Sequence, residues 1–267
     1  MKNPPPVVLT IAGSDNSCGA GAQADLKTIT ALGGYAQTAM TCVVAEVPGR
    51  VEAVHAMEPG FVATQIRLSA QAFPVAAAKT GMLFSKSIIE AVAEALATCD
   101  FPLVVDPVMV ASSGDPLLQS DAVDAYRSLL FTRAVLVTPN LDELRILSGR
   151  PCRDLREIEA AGRRLVDRHG CGFLLKGGHL QSDEAVDLLV TVNGVLEFKA
   201  PFVRGIDAHG TGCSYSAAIA TGLALGHSLP DAVALAKTYI TSAIVRHLRW
   251  GDTCALEHRL CQNGSGT

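Results

Sequence analysis

A chain of 267 residues that is 49% hydrophobic and 18% charged can bury a sizeable core, as one large α/β unit or two small ones. A net charge of −4 with no Lys/Arg cluster excludes a nucleic acid or an anionic membrane as an electrostatically bound partner. The eight cysteines are scattered without a C-x-x-C pair, which argues against a zinc knuckle, and a disulfide framework does not suit a chain this long. No stretch approaches the roughly 18 uninterrupted apolar residues of a membrane span. The start, Met1 to Pro6, leads into an apolar run too short and too strand-like for a secretory signal, so a reduced, cytoplasmic protein is expected.

Taken in chain order, apolar β-rich runs alternate with helical patterns. The expected strands are Val7–Ala12, Ala36–Ala45, Val51–His55, Ala76–Thr80, Leu103–Asp106, Ala134–Thr138, Gly172–Lys176, Ala185–Val192 and Val195–Lys199. The expected helices are Ala22–Leu32, Gly60–Ala72, Ser87–Ala97, Ser120–Leu130, Leu141–Ser148, Leu155–His169, Ser214–Leu225 and Asp231–Leu248. Strands that are apolar throughout belong in a parallel sheet covered by helices on both faces. The last two strands, joined at Asn193-Gly194, read as a hairpin, so the sheet should end in an antiparallel edge. Nothing divides the chain, so residues 1–250 form one domain in this reading and 251–267 a polar, loosely ordered tail.

Loops at the carboxyl ends of such strands build the site. Here they carry Gly13-Ser14-Asp15, Glu46, Lys79-Thr80-Gly81-Met82, Asp106-Pro107-Val108-Met109, Thr138-Pro139-Asn140 and Lys176-Gly177-Gly178. The most telling run is His209-Gly210-Thr211-Gly212-Cys213, which opens an apolar helix. Uncovered N–H groups and the positive end of the helix form an anion cradle, and that same end should lower the Cys213 thiol pKa. The plain alternative is a tight turn into a helix with a buried thiol. Lys176, after an apolar strand and before two glycines, suits a phosphate contact, although a surface lysine would look the same. Asn140 and Glu143 can hold the water shell of Mg²⁺, or cap a helix, or do both. Asp106 is a second candidate for the metal or phosphate region.

Three other motifs are weaker. Gly19-Ala20-Gly21-Ala22-Gln23-Ala24 fits a dinucleotide fingerprint, with Glu46 as its ribose acid, but begins some seven residues after the strand rather than on it. Ser14-Asp15-Asn16 and Lys79-Thr80-Gly81 match two penicillin-binding signatures, but S-x-x-K is missing. A Cys213 hydrolase with His209 or His179 as base remains open, while no histidine spacing suits zinc.

Six runs occur in order: Thr10 to Asp15, Gly19-Ala20-Gly21 with Gln23 to Thr28, Asp106 to Met109, Thr138 to Glu143, Lys176 to His179, and His209 to Cys213. Over about residues 7 to 248 they resemble the hydroxymethylpyrimidine/phosphomethylpyrimidine kinases of thiamine biosynthesis, in the ribokinase superfamily. The resemblance implies a three-layer α/β/α ribokinase-like fold, a mostly parallel sheet and a homodimer. It also implies ATP- and Mg²⁺-dependent phosphorylation of a small pyrimidine, 4-amino-5-hydroxymethyl-2-methylpyrimidine, and then of its monophosphate.

The same resemblance makes Cys213 the catalytic base, where related sugar kinases carry aspartate, and Gly210, Thr211 and Gly212 the anion hole. Asn140 and Glu143 become the Mg²⁺ and phosphate element, with Asp106 beside the metal. Lys176 becomes a nucleotide-phosphate contact, and Lys237 a residue reaching a phosphate. Glu46 becomes the pyrimidine-edge acceptor, and Gly13, Asp25, Met82 and Val108 substrate-pocket positions. The chain departs from the pattern at Asn16, where proline is usual, at Cys18, where glycine is usual, and at Val47-Pro48, where a polar pair is usual. Pyridoxal kinases, which share the architecture, and a non-catalytic pyrimidine or nucleotide sensor are the alternatives.

Overall fold

The computed structural model describes residues 3–109, 120–177, 183–206 and 209–260. Gly178 and His179 of the Lys176 run, and the end of the tail, lie outside them. Nine strands form one sheet in the order β3-β2-β1-β4-β5-β6-β7-β8-β9. They are β1 (Val7–Asp15), β2 (Tyr35–Val47), β3 (Arg50–Ala56), β4 (Val75–Thr80), β5 (Leu103–Val105), β6 (Leu136–Val137), β7 (Gly172–Lys176), β8 (Glu184–Thr191) and β9 (Gly194–Pro201). From β2 through β7 every pairing is parallel. The β8–β9 hairpin makes the expected antiparallel edge, and β3 makes a second one beside β2. The short Pro48-Gly49 connection leaves no length for a crossover, so β3 must return antiparallel.

Helices α1 (Gly21–Ala31), α7 (Thr211–Ala224) and α8 (Leu229–Val245) cover one face. Helices α2 (Pro59–Ala72), α3 (Lys86–Leu96), α4 (Ser120–Ala125), α5 (Leu141–Ser148) and α6 (Leu155–His169) cover the other. A π-helical turn, Tyr126–Leu130, extends α4. Strand side chains divide between the two cores by the period of two: Leu9, Ile11, Leu103, Val105, Phe173 and Leu175 face one, and Val8, Val104 and Leu174 the other. This is a three-layer α/β/α sandwich.

Two boundaries differ from expectation in ways that matter for the site. Helix α7 begins at Thr211 rather than Ser214, because Gly210 at φ +82° turns the chain directly into it. Residues 251–260, expected as part of a loose tail, are ordered against the fold. Strands β10 (Leu248–Trp250) and β11 (Thr253–Ala255) form a hairpin, and Cys254, Leu256, Glu257 and His258 behind it are buried. Leu256 joins the α7/α8 core, so an apolar residue in an otherwise polar stretch supplied the anchor.

Candidate active site

The carboxyl ends of β1, β2, β5 and β7 and the start of α7 enclose a cavity of about 180 Å³. Gly13, Glu46, Met82, Asp106, Val108, Asn140, Glu143, Lys176, Gly210, Gly212 and Cys213 line it, together with Ala20, Gly21, Val47, Arg50 and His209. Of the residues expected there, Asp25, Thr211 and Lys237 do not reach the wall.

The turn before α7 is shaped by contact. A Cβ on Gly210 would lie 1.9 Å from the Gly19 carbonyl oxygen, so only glycine lets the turn settle on the first loop. A Cβ on Gly212 would lie 3.3 Å from Lys176 Nζ and 3.7 Å from Asp106 Oδ2, so this backbone runs beside the charged pair. The glycines of the dinucleotide-like run therefore have a packing reason. Gly19 supports Gly210, and Gly21 has φ +58° with the Gly13 carbonyl 2.5 Å from where its Cβ would stand.

Asp15 fastens the first loop. Its carboxylate accepts from the amides of Ser17 (2.7 Å), Gly19 (3.0 Å) and Ala20 (2.7 Å), and from the Ser17 hydroxyl. His209 Nε2 stands 3.2 Å from Asp15 and 4.0 Å from Glu46 Oε2, which ties the first loop to the α7 turn. Burial pushes the Asp15 carboxyl up, but the hydrogen bonds from His209, Ala20 and Ser17 outweigh it and hold the group ionised. Burial and the neighbouring Asp15 charge push Glu46 upward, against the pull of His209.

Lys176 ends β7 and its Nζ lies 3.1 Å from Asp106 Oδ1, which also accepts from Thr138 Oγ1 at 2.9 Å. Burial disfavours the Lys176 ammonium, yet Asp106 and Glu143 hold it charged. Asp106 is held low in turn, because Lys176 and Lys79 outweigh its burial. Asn140 and Glu143 form a reciprocal capping box at α5: Glu143 N–H donates to Asn140 Oδ1 (2.9 Å) and Asn140 N–H to Glu143 Oε2 (2.8 Å). Burial, with Asp106 nearby, raises Glu143 to about 7. Two buried carboxylates of this kind, one reluctant to ionise, match the donor set of a magnesium site that takes its remaining ligands from water and phosphate.

The thiol expectation is overturned. Loss of solvent raises Cys213 to about 11, although Lys79 and the Gly21 amide pull the other way. The Asp25 and Asp106 charges add to this rise.

The three residues off the wall have structural partners. Asp25 is fully buried on α1; its Oδ2 accepts from Lys79 Nζ (2.8 Å) and the Thr10 hydroxyl (2.5 Å). Lys237 is buried on α8 and donates to Asp187 Oδ2 at 2.7 Å. Asp187 also accepts from the Gly177 amide (3.0 Å) and the Tyr215 hydroxyl (3.0 Å), so this group steadies the end of β7 from behind. Thr211 opens α7 between the two glycines. Asp15 and Asp187 were missed as organisers. Asp187 carried one signal, a carboxylate in the middle of the apolar run from Ala185 to Val190.

Residues 15–257 match the family model described as phosphomethylpyrimidine kinase. The hydroxymethylpyrimidine/phosphomethylpyrimidine kinase of Streptomyces coelicolor is 43% identical over 240 residues, covering 90% of this chain and 89% of that protein. The thiamine biosynthesis bifunctional protein ThiED of Geobacter sulfurreducens is 44% identical over 238 residues, and the match spans about half (49%) of its length. Among solved structures, the phosphomethylpyrimidine kinase of Clostridium difficile superposes with a TM-score of 0.80 at 37% identity, covering 90% of this chain and 99% of that one. The ADP complex of Bacillus subtilis pyridoxal kinase superposes at 0.88 with 31% identity, covering 95% and 97%. On this match the chain belongs to the phosphomethylpyrimidine kinase family.

Proposed function

We propose that this protein is an ATP-dependent kinase that phosphorylates the hydroxymethyl group of 4-amino-5-hydroxymethyl-2-methylpyrimidine, and then its monophosphate, in thiamine biosynthesis. One observation carries the reading: a single cavity joins Glu46, the thiol of Cys213, and the Lys176–Asp106–Glu143 charge cluster. Glu46 accepts from the amino edge of the ring, while Gly13, Met82 and Val108 frame it. The substrate hydroxyl oxygen bonds to the γ-phosphorus of ATP as the bond to the β–γ bridging oxygen breaks, releasing ADP. Cys213 takes the hydroxyl proton as thiolate. The amides of Gly210 to Gly212 and the Lys176 ammonium hold the charge on the transferring group. Asp106 and Glu143, with Asn140 at their side, would hold Mg²⁺, which neutralises phosphate charge when bound. Asp25 and Lys237 act behind this wall.

Pyridoxal is the second reading, favoured by the TM-score of 0.88 to a pyridoxal kinase, against which stands 43% identity to the pyrimidine kinase as opposed to 31%. The reading as a sensor leaves Lys176, Asp106 and Cys213 without a task. We place the protein in a reducing cytoplasm, in keeping with seven unpaired cysteines among the described residues. No helix among those residues is long and apolar enough to cross a membrane. Val43 and Val47, exposed on β2 next to the β3 edge, favour a homodimer.

ADP release with the pyrimidine, the pyrimidine monophosphate and pyridoxal in parallel tests the substrate; turnover of pyridoxal alone would sink the reading. Cys213→Ala should lower kcat at least ~100-fold with little change in KM. The thiolate fraction grows as pH approaches 11, so native kcat should climb from pH 7 to 9. Near-native turnover in the variant removes Cys213 as base.

A further inference from the structure

Asn16 lies in the first loop, outside the motifs that carry the chemistry, yet its side chain reaches another element at a place where the sheet register shifts. Its Oδ1 accepts a hydrogen bond from the Glu46 amide at 2.7 Å. Along β2 and β3 the register slips there: Ala45 faces Ala53, but Glu46 faces Val51, which leaves Glu52 unopposed. The extra residue belongs to β3, so it is β3 that bulges and bends, with added twist where it pairs with Glu46. Glu46 stands opposite that bulge on β2, with its side chain mostly buried against the cavity. The position of Asn16 is fixed in turn, because it follows Asp15, whose carboxylate is held by three loop amides and by His209.

We infer that Asn16 is a positioning residue for substrate selection: it holds the Glu46 backbone opposite the β3 bulge and so sets where the Glu46 carboxylate meets the amino-bearing edge of the ring. This rests on the reading of Glu46 as the ring-edge acceptor. A buried acceptor discriminates only when its distance to the donor is fixed, since a looser carboxylate accommodates rings with and without an amine. Asn16 does not line the cavity, so the expected influence is on ring binding through Glu46 alone. Pyridoxal, which has no exocyclic amine, gains nothing from this positioning.

The test is steady-state kinetics of the full chain at saturating Mg-ATP, with 4-amino-5-hydroxymethyl-2-methylpyrimidine and with pyridoxal. Asn16→Ala should raise KM for the pyrimidine about five- to tenfold, the range expected for losing one hydrogen bond. Its kcat and its KM for ATP should stay native, and its preference for the pyrimidine over pyridoxal should fall by the same factor. Asn16→Asp keeps the acceptor oxygen and should bring KM back to within about twofold of native. A native KM in Asn16→Ala overturns the inference, as does a joint rise in KM for ATP or a failure of Asn16→Asp to restore. Glu46→Ala separates the two layers. If it is impaired while Asn16→Ala is native, only the present inference fails; if it binds the pyrimidine normally, the reading of Glu46 fails as well.

Discussion

Glu143 shows how one side chain carries two burdens. It caps α5 through the Asn140 amide, and it stands close enough to Asp106 that burial and like charge raise it to about 7. Unfolded, the same group titrates near 4.5. Between these values the folded protein binds a proton that the unfolded chain has lost, so stability falls as pH rises from 4.5 to 7, by on the order of 3 kcal/mol. Asp106 is shifted in the opposite direction, and its window lies below 3.8, outside this range. Glu143→Gln retains the cap and cannot ionise. In urea denaturation it should be more stable than the native protein at pH 8, with the difference vanishing near pH 4.5. Parallel profiles would mean that Glu143 is already ionised at low pH.

Among the elements, the chain end changes the account of the α7 turn. His209 makes a parallel bridge to Ala255, and Ser214, next to Cys213, shares a 3.1 Å hydrogen bond with His258 Nε2. The Tyr239 hydroxyl donates to the His258 carbonyl at 3.0 Å, which binds the same segment to α8. Burial, aided by the Lys27 charge, lowers His258 to about 4, so its ring is neutral at physiological pH and needs no counter-ion. Leu256 is the apolar anchor of this strap and is 2% exposed. Leu256→Ala should cost about 2–5 kcal/mol in chemical denaturation, the range for a leucine emptied from a core. An unchanged midpoint would show that the segment is only laid on the surface.

At the level of the whole molecule, the cavity wall draws on residues from Gly13 to Cys213, brought together only by the sheet order. A ligand that bridges those strand ends stabilises the fold by mass action. A nucleotide at 100 times its Kd adds about 2.7 kcal/mol. Thermal denaturation should therefore shift upward with Mg-ATP, and Lys176→Ala should shrink the shift. A melting temperature indifferent to nucleotide would count against this cavity as the nucleotide site.

The sequence by itself determined the layered α/β class, because short, continuously apolar runs alternate with runs at helical period. It also determined that chemistry gathers at strand ends and at one helix start, since Asp106, Asn140 and Lys176 follow apolar runs and Gly210 to Cys213 open an apolar helix. Tertiary structure alone decided what depends on distance and solvent. It turned Asp25 and Lys237 inward to buried partners, since an isolated carboxylate or ammonium there would be too costly. It raised the Cys213 thiol instead of lowering it, because desolvation outweighs the Lys79 charge and the Gly21 amide. It anchored a segment that composition marks as a tail, through Leu256 in the α7/α8 core with Cys254, Glu257 and His258 buried beside it. Order along the chain names candidate groups; only packing fixes their neighbours, and neighbours set charge.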